Sequence, residues 1–404
     1  MRKIINDPVH GFITIDHELI YQLIAHPYFQ RLRRIKQMAL AYLVYPGAVH
    51  TRFHHSLGAY HLMHQAIAEL RQKHVAITEE EELGAKIAIL LHDIGHGPFS
   101  HALEHTLVDV HHEDLSMLIM EELNQHFAGK LQVAISIFKN EYPKKFLHQL
   151  IHGQLDVDRL DYLARDSFFT GVSEGVIGYD RIIKMLMVVN DELVVEEKGI
   201  HSIEKFLIAR RLMYSQVYLH KTVLSSELML VNILKRAKEV VKEKEMIFGS
   251  PSLQYFLATQ RNLEDFKHGG TSLKHFLNLD DHDIVCAIKV WTSHEDAILS
   301  DLCRRLIDRD LFKVKFLSIE NEKELLDLKL AIQANLSLSD EAMTYYFIHD
   351  STVNQTYVLG DGNIRICFKN GEIKEITQVE HTLISEALLV PIKKHYICHP
   401  RLNR

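Results

Sequence analysis

The sequence predicts a mostly α-helical protein with a small α+β region towards its C-terminus. Apolar residues recur at helical spacing through most of the chain up to about Arg309. Helix start signals precede several of these stretches, as where Thr78 stands before the acidic run Glu79–Glu82. Apart from one hairpin, alternating apolar segments bounded by Gly- and Asn-containing turns occur only from Val353 onwards. These three observations favour a large helical core followed by a short mixed region.

The composition is that of a globular protein with one large or two ordinary domains. The 404 residues are 47% hydrophobic and 25% charged, with a formal net charge of −7. This charge argues against a dedicated nucleic-acid binder, although a local basic patch could still bind nucleic acid. Beyond about residue 245 the histidine density falls and the turn Phe248–Pro251 appears. We therefore predict two regions, residues 1–245 and residues 246–404.

Targeting signals and cysteine usage favour a cytoplasmic protein without a membrane span. The N-terminus, MRKIINDPVHG, lacks the apolar core of a signal peptide. No apolar run approaches the roughly 20 residues that a membrane-spanning helix needs. The cysteines are widely spaced and form no CxxC motif, so we interpret them as reduced packing residues. They are Cys286, Cys303, Cys367 and Cys398.

Taken in order, the helical patterns are separated by recognisable turns. They cover residues 18–44 with a break at His26-Pro27, a stretch ending at Leu70, a Thr78-capped helix ending at His92-Asp93, residues 113–138, and residues 150–170. Leu186–Gly199 then predicts a β-hairpin that turns at Asn190-Asp191, and Ser202 is expected to cap a long helix. The predicted C-terminal strands are Val353–Leu359, Asn363–Phe368 and Glu372–Thr377.

The segment Leu90–His101, LLHDIGHGPFSH, carries the densest group of potential metal ligands. His92 and Asp93 follow the apolar run Ile87–Leu91, which places both side chains at the end of a buried, rigid helix. Imidazole and carboxylate groups are common ligands of divalent metals. A single His-Asp pair is weak evidence, because such histidines are usually surface or satisfied core residues. However, 15 of the 28 histidines lie in residues 1–112, mostly in two clusters, which packing does not readily explain.

Three charged or aromatic stretches allow a structural or a functional interpretation. The segment FQRLRRIK at Phe29–Lys36 is either a solvated helix face or a phosphate-binding face. Asp158, Asp161, Tyr162 and Arg165 share one helix face, which indicates either internal ion pairs or a ligand site. Arg210, Tyr214 and Tyr218, spaced by four residues, form a stripe that is structural or suits a flat ligand with phosphates.

Several of these motifs together resemble the HD-domain phosphohydrolases. The resemblance rests on HTRFHHSLG, HDIGHGPFSH, DVDRLDYLARD, INDPVHG, FQRLRRIKQ and YLHK, in one order over roughly residues 3–240. More narrowly, the chain resembles the deoxynucleoside triphosphate (dNTP) triphosphohydrolases, including the animal enzyme that joins a SAM domain to an HD domain and the bacterial dGTPase-like enzymes. The resemblance implies an HD-domain helical core and a nucleotide-hydrolysing metal site.

The resemblance implies roles for particular residues. The metal ligands would be His55, His92, Asp93 and Asp158, holding Fe, Mn, Zn, Ni or Mg. The catalytic residues would be His96, His101, Glu104 and His112. The substrate-binding residues would be Gln37, Arg52, Arg159, Tyr162, Asp166, Arg210, Tyr218 and Lys221. Arg52, Arg210 and Lys221 would neutralise the triphosphate, and Tyr218 would pack under the 2′ carbon of the sugar.

Departures from the family pattern leave regulation open. Ala25 replaces an Asp that reads an activating nucleotide in the guanine-regulated animal enzyme, and Met187 and Glu196 replace arginines. The Gly-rich continuation of the family is changed to Met38-Ala39-Leu40. Other residues of that regulatory site remain, namely Lys3, Asn6, Gln30 and Arg33. A regulatory nucleotide is therefore either absent or carries a different base. The resemblance also implies a homo-oligomer.

The expected activity is metal-dependent hydrolysis of dNTPs to deoxynucleoside and inorganic triphosphate by attack of water on the α-phosphorus. One alternative is another HD-type phosphohydrolase that acts on a monophosphate, cyclic or signalling nucleotide. A second alternative is a non-catalytic HD module that senses nucleotides or binds single-stranded nucleic acid. The long cationic set favours a triphosphate, and the complete set of four ligands favours an enzyme.

Overall fold

The computed structural model confirms a mostly α-helical fold with small sheets. It describes residues 2–243, 247–267, 270–317, 322–354, 357, 360, 362–380 and 390–401. The helices within these ranges are α1 (Glu18–Ala25), α2 (Pro27–Gln30), α3 (Arg52–Gln72), α4 (Glu79–Leu91), α5 (His112–His126), α6 (Gln132–Phe138), α7 (Lys145–Gln149), α8 (Val157–Thr170), α9 (Tyr179–Met185), α10 (Ile200–Met213), α11 (Lys221–Lys242), α12 (Pro251–Ala258), α13 (Leu263–Lys267), α14 (Thr271–Leu277), α15 (Asp281–Trp291), α16 (Ala297–Ile307), α17 (Glu322–Leu336) and α18 (Asp340–Tyr346).

Three small sheets flank the helices. Their strands are β1 (Lys3–Asp7), β2 (Gly11–Ile15), β3 (Leu186–Val189), β4 (Glu192–Glu196), β5 (Lys313–Phe316), β6 (Ile348–Asn354), β7 (Arg365–Cys367), β8 (Ile373–Glu375) and β9 (Ile392–His399). The strand orders are β1-β2, β3-β4-β7-β8 and β5-β9-β6. In the second sheet β4 pairs in parallel with β7, with Val195 opposite Ile366. Strands from both predicted regions thus share one sheet, while the boundary at residue 245 stays a prediction.

Helices α3, α4 and α8 pack around the buried centre of the protein, and local signals fix where each one begins. Thr78 and Glu81 form a capping box at the start of α4, with the Glu81 amide 3.2 Å from Thr78 Oγ1. Asp156 caps α8 by accepting a hydrogen bond from the Arg159 amide at 2.7 Å. The Thr78 cap predicted from sequence is confirmed. In the described part of the chain, no helix combines the length and apolarity needed to cross a bilayer.

The predicted helix over residues 18–44 is only partly correct. The break at His26 is confirmed, because α1 ends there and α2 begins at Pro27. Beyond Arg31 the chain forms short 3-10 turns instead of an α-helix. The backbone of Ile35 is extended and its carbonyl accepts from the Arg52 amide at 3.0 Å. Pairing with the start of α3 therefore overrides the local helical preference.

The long helix predicted from Ser202 begins earlier and is interrupted. It starts at Ile200, and after Met213 a π-helical turn covers Tyr214–Tyr218 before α11 begins at Lys221. The predicted helix over residues 113–138 is likewise split into α5 and α6. The π-helical turn changes the spacing of the aromatic stripe, and it places tyrosine side chains in the wall of the central cavity.

The predicted hairpin between Leu186 and Gly199 is confirmed. Asn190 and Asp191 both have positive φ angles, 51° and 65°, as a tight hairpin turn requires. Strands β7 and β8 lie within their predicted segments. The strand predicted at Val353–Leu359 is instead β6, which ends at Asn354, and residues 355–356 and 358–359 lie outside the described residues. Strands β1, β2, β5 and β9 were not predicted from the sequence.

Candidate metal centre and nucleotide cavity

The end of α4 presents His92 and Asp93 towards the protein centre, as the sequence predicts. Both residues are buried. The Nδ1 atom of His92 lies 2.6 Å from the Ile89 carbonyl, to which it donates its proton. This hydrogen bond leaves the lone pair of Nε2 free to bind a metal ion. The Ser116 hydroxyl donates to the His92 carbonyl at 2.7 Å and holds the end of the helix in place.

Two further residues bring their side chains to the same point from α3 and α8. The Nε2 atom of His55 lies 3.3 Å from His92 Nε2 and 3.7 Å from Asp93 Oδ2. Asp158 Oδ1 lies 3.0 Å from His55 Nε2 and 3.4 Å from His92 Nε2. Three helices that are distant in sequence thus bring two imidazoles and two carboxylates together at one buried position.

The spacing of these donor atoms fits one divalent ion. With bonds of about 2.1 Å in octahedral geometry, neighbouring ligand atoms lie about 3.0 Å apart. His55, His92 and Asp93 each offer an atom within 4.8 Å of the others, and Asp158 lies 3.0 Å from His55. Nitrogen and carboxylate ligands in equal numbers suit Fe, Mn, Zn, Ni or Mg. These four residues could hold the metal that the sequence predicts.

The charges at this position also favour a cation. Burial opposes ionisation of Asp158, but its hydrogen bonds with His55 and His92 outweigh burial and hold the pKa of its carboxyl below the usual range. Burial likewise opposes protonation of His55, whereas hydrogen bonds to Asp158 and Asp161 raise its pKa to about 10. Both shifts have one cause, the excess of carboxylate charge at this position, and a divalent ion would neutralise that charge in place of the proton on His55.

A second layer of residues orients His55. Its Nδ1 atom donates to Asp161 Oδ2 at 2.8 Å, the carboxylate–histidine arrangement found behind many metal ligands. Asp161 also accepts from His10 Nε2 at 2.6 Å and from Arg165 Nε at 2.9 Å. Arg165 in turn donates to Asp7 Oδ2 at 2.8 Å. The N-terminal hairpin therefore supports the metal centre through His10 and Asp7, a role that the sequence analysis missed.

The close packing of α3 on α8 depends on Gly58. A Cβ atom at this position would lie 1.9 Å from Asp161 Oδ1 and 2.2 Å from Arg165 Nη2. Both distances are shorter than any non-bonded contact allows. Only glycine therefore lets the Asp161–Arg165 ion pair lie against α3, where His55 can reach it.

Arg52 and His96 flank the carboxylate of Asp93. Arg52 Nη1 donates to Asp93 Oδ2, and Arg52 Nε donates to the Ser100 hydroxyl at 2.7 Å. His96 Nε2 lies 3.3 Å from Asp93 Oδ1. Burial and the charge of Arg52 hold the pKa of His96 well below its usual value, so its imidazole is neutral at pH 7.

His112 and Glu104 form the pair that the resemblance implies. Glu104 Oε1 lies 3.1 Å from His112 Nδ1 and also accepts from the His112 amide at 3.1 Å. The ring of His112 stacks on that of His96, with centroids 3.9 Å apart. The side chain of His101, the remaining predicted catalytic residue, lies outside what the structure describes.

A cavity of about 550 Å³ opens beside the metal centre. Six of the predicted substrate-binding residues line it, namely Gln37, Arg52, Arg159, Tyr162, Asp166 and Tyr218. The other two lie outside its wall. Arg210 stands behind Tyr214, with its guanidinium carbon 5.9 Å from the ring centre, and the exposed Lys221 places its ammonium 5.4 Å from the centre of Phe316.

Tyr218 is fixed in the cavity wall by a chain of hydrogen bonds. Its hydroxyl donates to Asp166 Oδ2 at 2.5 Å, and His50 Nε2 donates to Asp166 Oδ1 at 2.7 Å. Burial and the charge of Asp166 raise the pKa of the Tyr218 hydroxyl well above 10, so it stays protonated. The ring therefore forms a rigid surface on this side of the cavity.

Three ionisable groups of the cavity wall, Glu113, His152 and Glu227, were not predicted from the sequence. His152 lies 3.0 Å from Glu113, and this hydrogen bond raises the pKa of His152 to about 9. His152 is therefore positively charged at neutral pH and faces the cavity. Glu227, on α11, also lines the cavity. None of the three stands in a distinctive motif, and only the folded chain brings them to the site.

Comparison with known proteins gives the family. The HD domain matches residues 52–166, and the HD associated region matches residues 177–248. The uncharacterized protein YwfO of Bacillus subtilis is 35% identical over 93% of this chain and 87% of its own length. The deoxynucleoside triphosphate triphosphohydrolase SAMHD1 homolog of Dictyostelium discoideum is 32% identical over 65% of this chain, which spans 56% of that protein.

A solved structure agrees closely with this fold. The chain superimposes on a phosphohydrolase from Bacteroides thetaiotaomicron with a TM-score of 0.95 and 50% identity, covering 99% of this chain and 100% of that one. The two family regions together contain all four convergent metal-ligand candidates and the cavity-lining part of α11. The chain therefore belongs to the HD-domain family that includes the SAMHD1-type deoxynucleoside triphosphate triphosphohydrolases.

Proposed function

We propose that this protein hydrolyses deoxynucleoside triphosphates to deoxynucleoside and inorganic triphosphate. The observation that carries the proposal is the convergence of His55, His92, Asp93 and Asp158 at the edge of a cavity of about 550 Å³. A cavity of this size falls within the usual range for small-molecule sites. Membership of the HD family supports metal-dependent phosphohydrolysis, and the SAMHD1 relatives favour a dNTP as the substrate.

The residues around the metal centre have separate tasks in this proposal. A divalent ion held by His55, His92, Asp93 and Asp158 would lower the pKa of water and polarise a phosphoryl oxygen. Arg52 faces the same space and neutralises charge on the α-phosphate. The 5′ oxygen is a poor leaving group unless it is protonated. In this proposal His112, which Glu104 orients, would supply that proton.

The remaining wall of the cavity accounts for the rest of the substrate. Arg159 and the positively charged His152 lie in the wall and can bind the outer phosphates. This assigns to His152 part of the role that the sequence analysis gave to Arg210 and Lys221. The fixed ring of Tyr218, held by Asp166, forms the surface on which the deoxyribose packs.

Other features of the proposal come from the family resemblance. We infer a cytoplasmic homo-oligomer that uses Fe, Mn, Zn, Ni or Mg. A regulatory nucleotide would require contacts different from those of the animal enzyme, since Glu196 stands where that enzyme has an arginine. The carboxylate of Glu196 is 2.7 Å from the Lys73 ammonium, and this ion pair makes a poor surface for a phosphate.

The test is a substrate screen with product identification. The purified protein is incubated with each dNTP and ribonucleoside triphosphate (NTP) in Mg, Mn, Fe or Co, and the products are separated by chromatography. We expect deoxynucleoside to form from dNTPs. Hydrolysis of only monophosphate or cyclic nucleotides would instead support the other HD phosphohydrolases. Nucleotide-stabilised melting without turnover in any metal would support the sensing module.

Replacing Tyr218 with alanine should weaken discrimination against ribonucleotides. A 2′-hydroxyl forced against this ring, without a hydrogen-bond partner, would cost about 1–3 kcal/mol, or roughly 5- to 150-fold in kcat/KM. We expect the wild-type protein to prefer dATP over ATP by this factor and Tyr218→Ala to reduce the ratio. Tyr218→Phe, which keeps the ring, is the control. A wild-type protein that hydrolyses both sugars equally would contradict this role.

A further inference from the structure

Glu227 is the one carboxylate of the cavity wall without a partner in the part of the chain that the structure describes. It projects from α11, one turn beyond Val223, which also lines the cavity. The other acidic residues of this wall are all paired: Asp93 with Arg52, Asp158 with His55, Asp166 with Tyr218, and Glu113 with His152. Among the described residues, no hydrogen bond or ion pair reaches the carboxylate of Glu227.

Several apolar residues line the same cavity as Glu227. They come from the segment after Gln37, from the π-helical turn and the residue that follows it, and from α11, and they include Met38, Ala39, Ala41, Val217, Leu219 and Val223. Burial alone raises the pKa of Glu227 to about 7. A half-buried carboxylate without donors loses part of its hydration, and a ligand that supplies N–H groups would compensate for that loss. Apolar walls with one unpaired carboxylate suit a flat ring that carries N–H donors at its edge.

We propose that Glu227 selects the base of the nucleotide by accepting hydrogen bonds from its pairing edge, and that the preferred base is guanine. The inference rests on the proposed function, which places a nucleotide in this cavity. Guanine presents two adjacent donors, N1–H and the 2-amino group, which match the two oxygens of one carboxylate. This arrangement makes two charge-assisted hydrogen bonds side by side.

The other bases fit an ionised carboxylate less well. Adenine places the acceptor N1 beside its amino group, and cytosine places the acceptor N3 there. Thymine has one N–H between two carbonyl oxygens, which a carboxylate repels. A glutamine at position 227 would offer one acceptor and one donor, the complement of the adenine edge. Base preference should therefore change in a defined direction when this charge is removed.

The test compares the four dNTPs as substrates of the metal-loaded wild-type, Glu227→Gln and Glu227→Ala proteins. For the wild type we expect kcat/KM for dGTP to exceed that for dATP by about 10- to 100-fold. In Glu227→Gln the ratio should fall to about one or reverse, and in Glu227→Ala the preference should be lost without a gain for dATP. Glu243→Gln, exposed at the end of the same helix, is the matched control and should behave as the wild type.

A second readout separates this inference from the proposed function. Calorimetric binding of dGTP and dATP is measured on the same proteins in the presence of a chelator, after thermal melting confirms that each one is folded. No turnover of any dNTP, together with a Glu227-dependent preference for binding dGTP, would refute the proposed activity and retain the base selection. Turnover of all four dNTPs with ratios unchanged in Glu227→Gln would retain the activity and refute the base selection.

Discussion

His92→Ala and Asp93→Asn should each abolish metal binding and nearly all hydrolysis while the protein stays folded. Both residues lie at the point where the donor atoms converge, and Asp93 is also held by Arg52. Loss of several kcal/mol of transition-state stabilisation corresponds to a rate decrease of about 10³-fold or more. The fold should persist because α4 is anchored by its own buried apolar residues and by the Thr78 cap. Elemental analysis and activity assays measure the two effects.

The matched control is His126→Ala, which removes an exposed histidine at the end of α5. It should leave both metal content and activity at wild-type levels. A chelator should reproduce the activity loss in the wild type and also lower its melting temperature, because a ligand that binds only the folded state stabilises that state. Full metal occupancy in both His92→Ala and Asp93→Asn would overturn the assignment of the centre.

Gly58→Ala should damage the metal centre although residue 58 is not itself one of the four candidate metal ligands. The new methyl group would overlap Asp161 Oδ1 and Arg165 Nη2, so this buried ion pair must move or break. Disrupting a buried pair typically costs about 3–5 kcal/mol. His55 would also lose its oriented partner, and such second-layer changes weaken metal binding about 10- to 100-fold. Urea unfolding and metal titration measure the two quantities.

Gly178→Ala provides the comparison for this variant. A Cβ atom at Gly178 meets nothing within 4 Å, and the residue precedes α9 outside the metal centre. This substitution should change the free energy of unfolding by less than about 1 kcal/mol. If Gly58→Ala were as mild as Gly178→Ala, then the packing of α3 on α8 would not govern the geometry of His55.

The first layer of the metal centre was predictable from sequence because the side chains that form it stand in dense motifs. His92 and Asp93 end a buried helix, and Asp158 lies in a helix face of acidic and basic residues. The residues behind His55 were not predictable in this way. His10 and Asp7 contact Asp161 and Arg165 across about 150 residues of sequence. Only the packing of the N-terminal hairpin against α8 brings these groups together.

Local pattern failed where tertiary contacts decide the backbone. The segment after Arg31 has a helical composition, yet Ile35 pairs with the start of α3, and the Lys36 amide donates to Asp281 at 2.9 Å. The π-helical turn at Tyr214–Tyr218 likewise has no clear signal in the spacing of its residues. Arg210, in the helix before this turn, is not among the residues that line the cavity, and the phosphate contact that the family resemblance implies for it stays a prediction.

The identity of the bond that breaks tests the central claim most directly. With dGTP in ¹⁸O-labelled water, phosphorus NMR and mass spectrometry follow the first products. Water attack at the α-phosphorus predicts one deoxynucleoside and one intact triphosphate, with the label on a terminal phosphorus of the triphosphate and none on the 5′ oxygen. Orthophosphate and dGDP as first products, or label in the nucleoside, would contradict the proposed reaction.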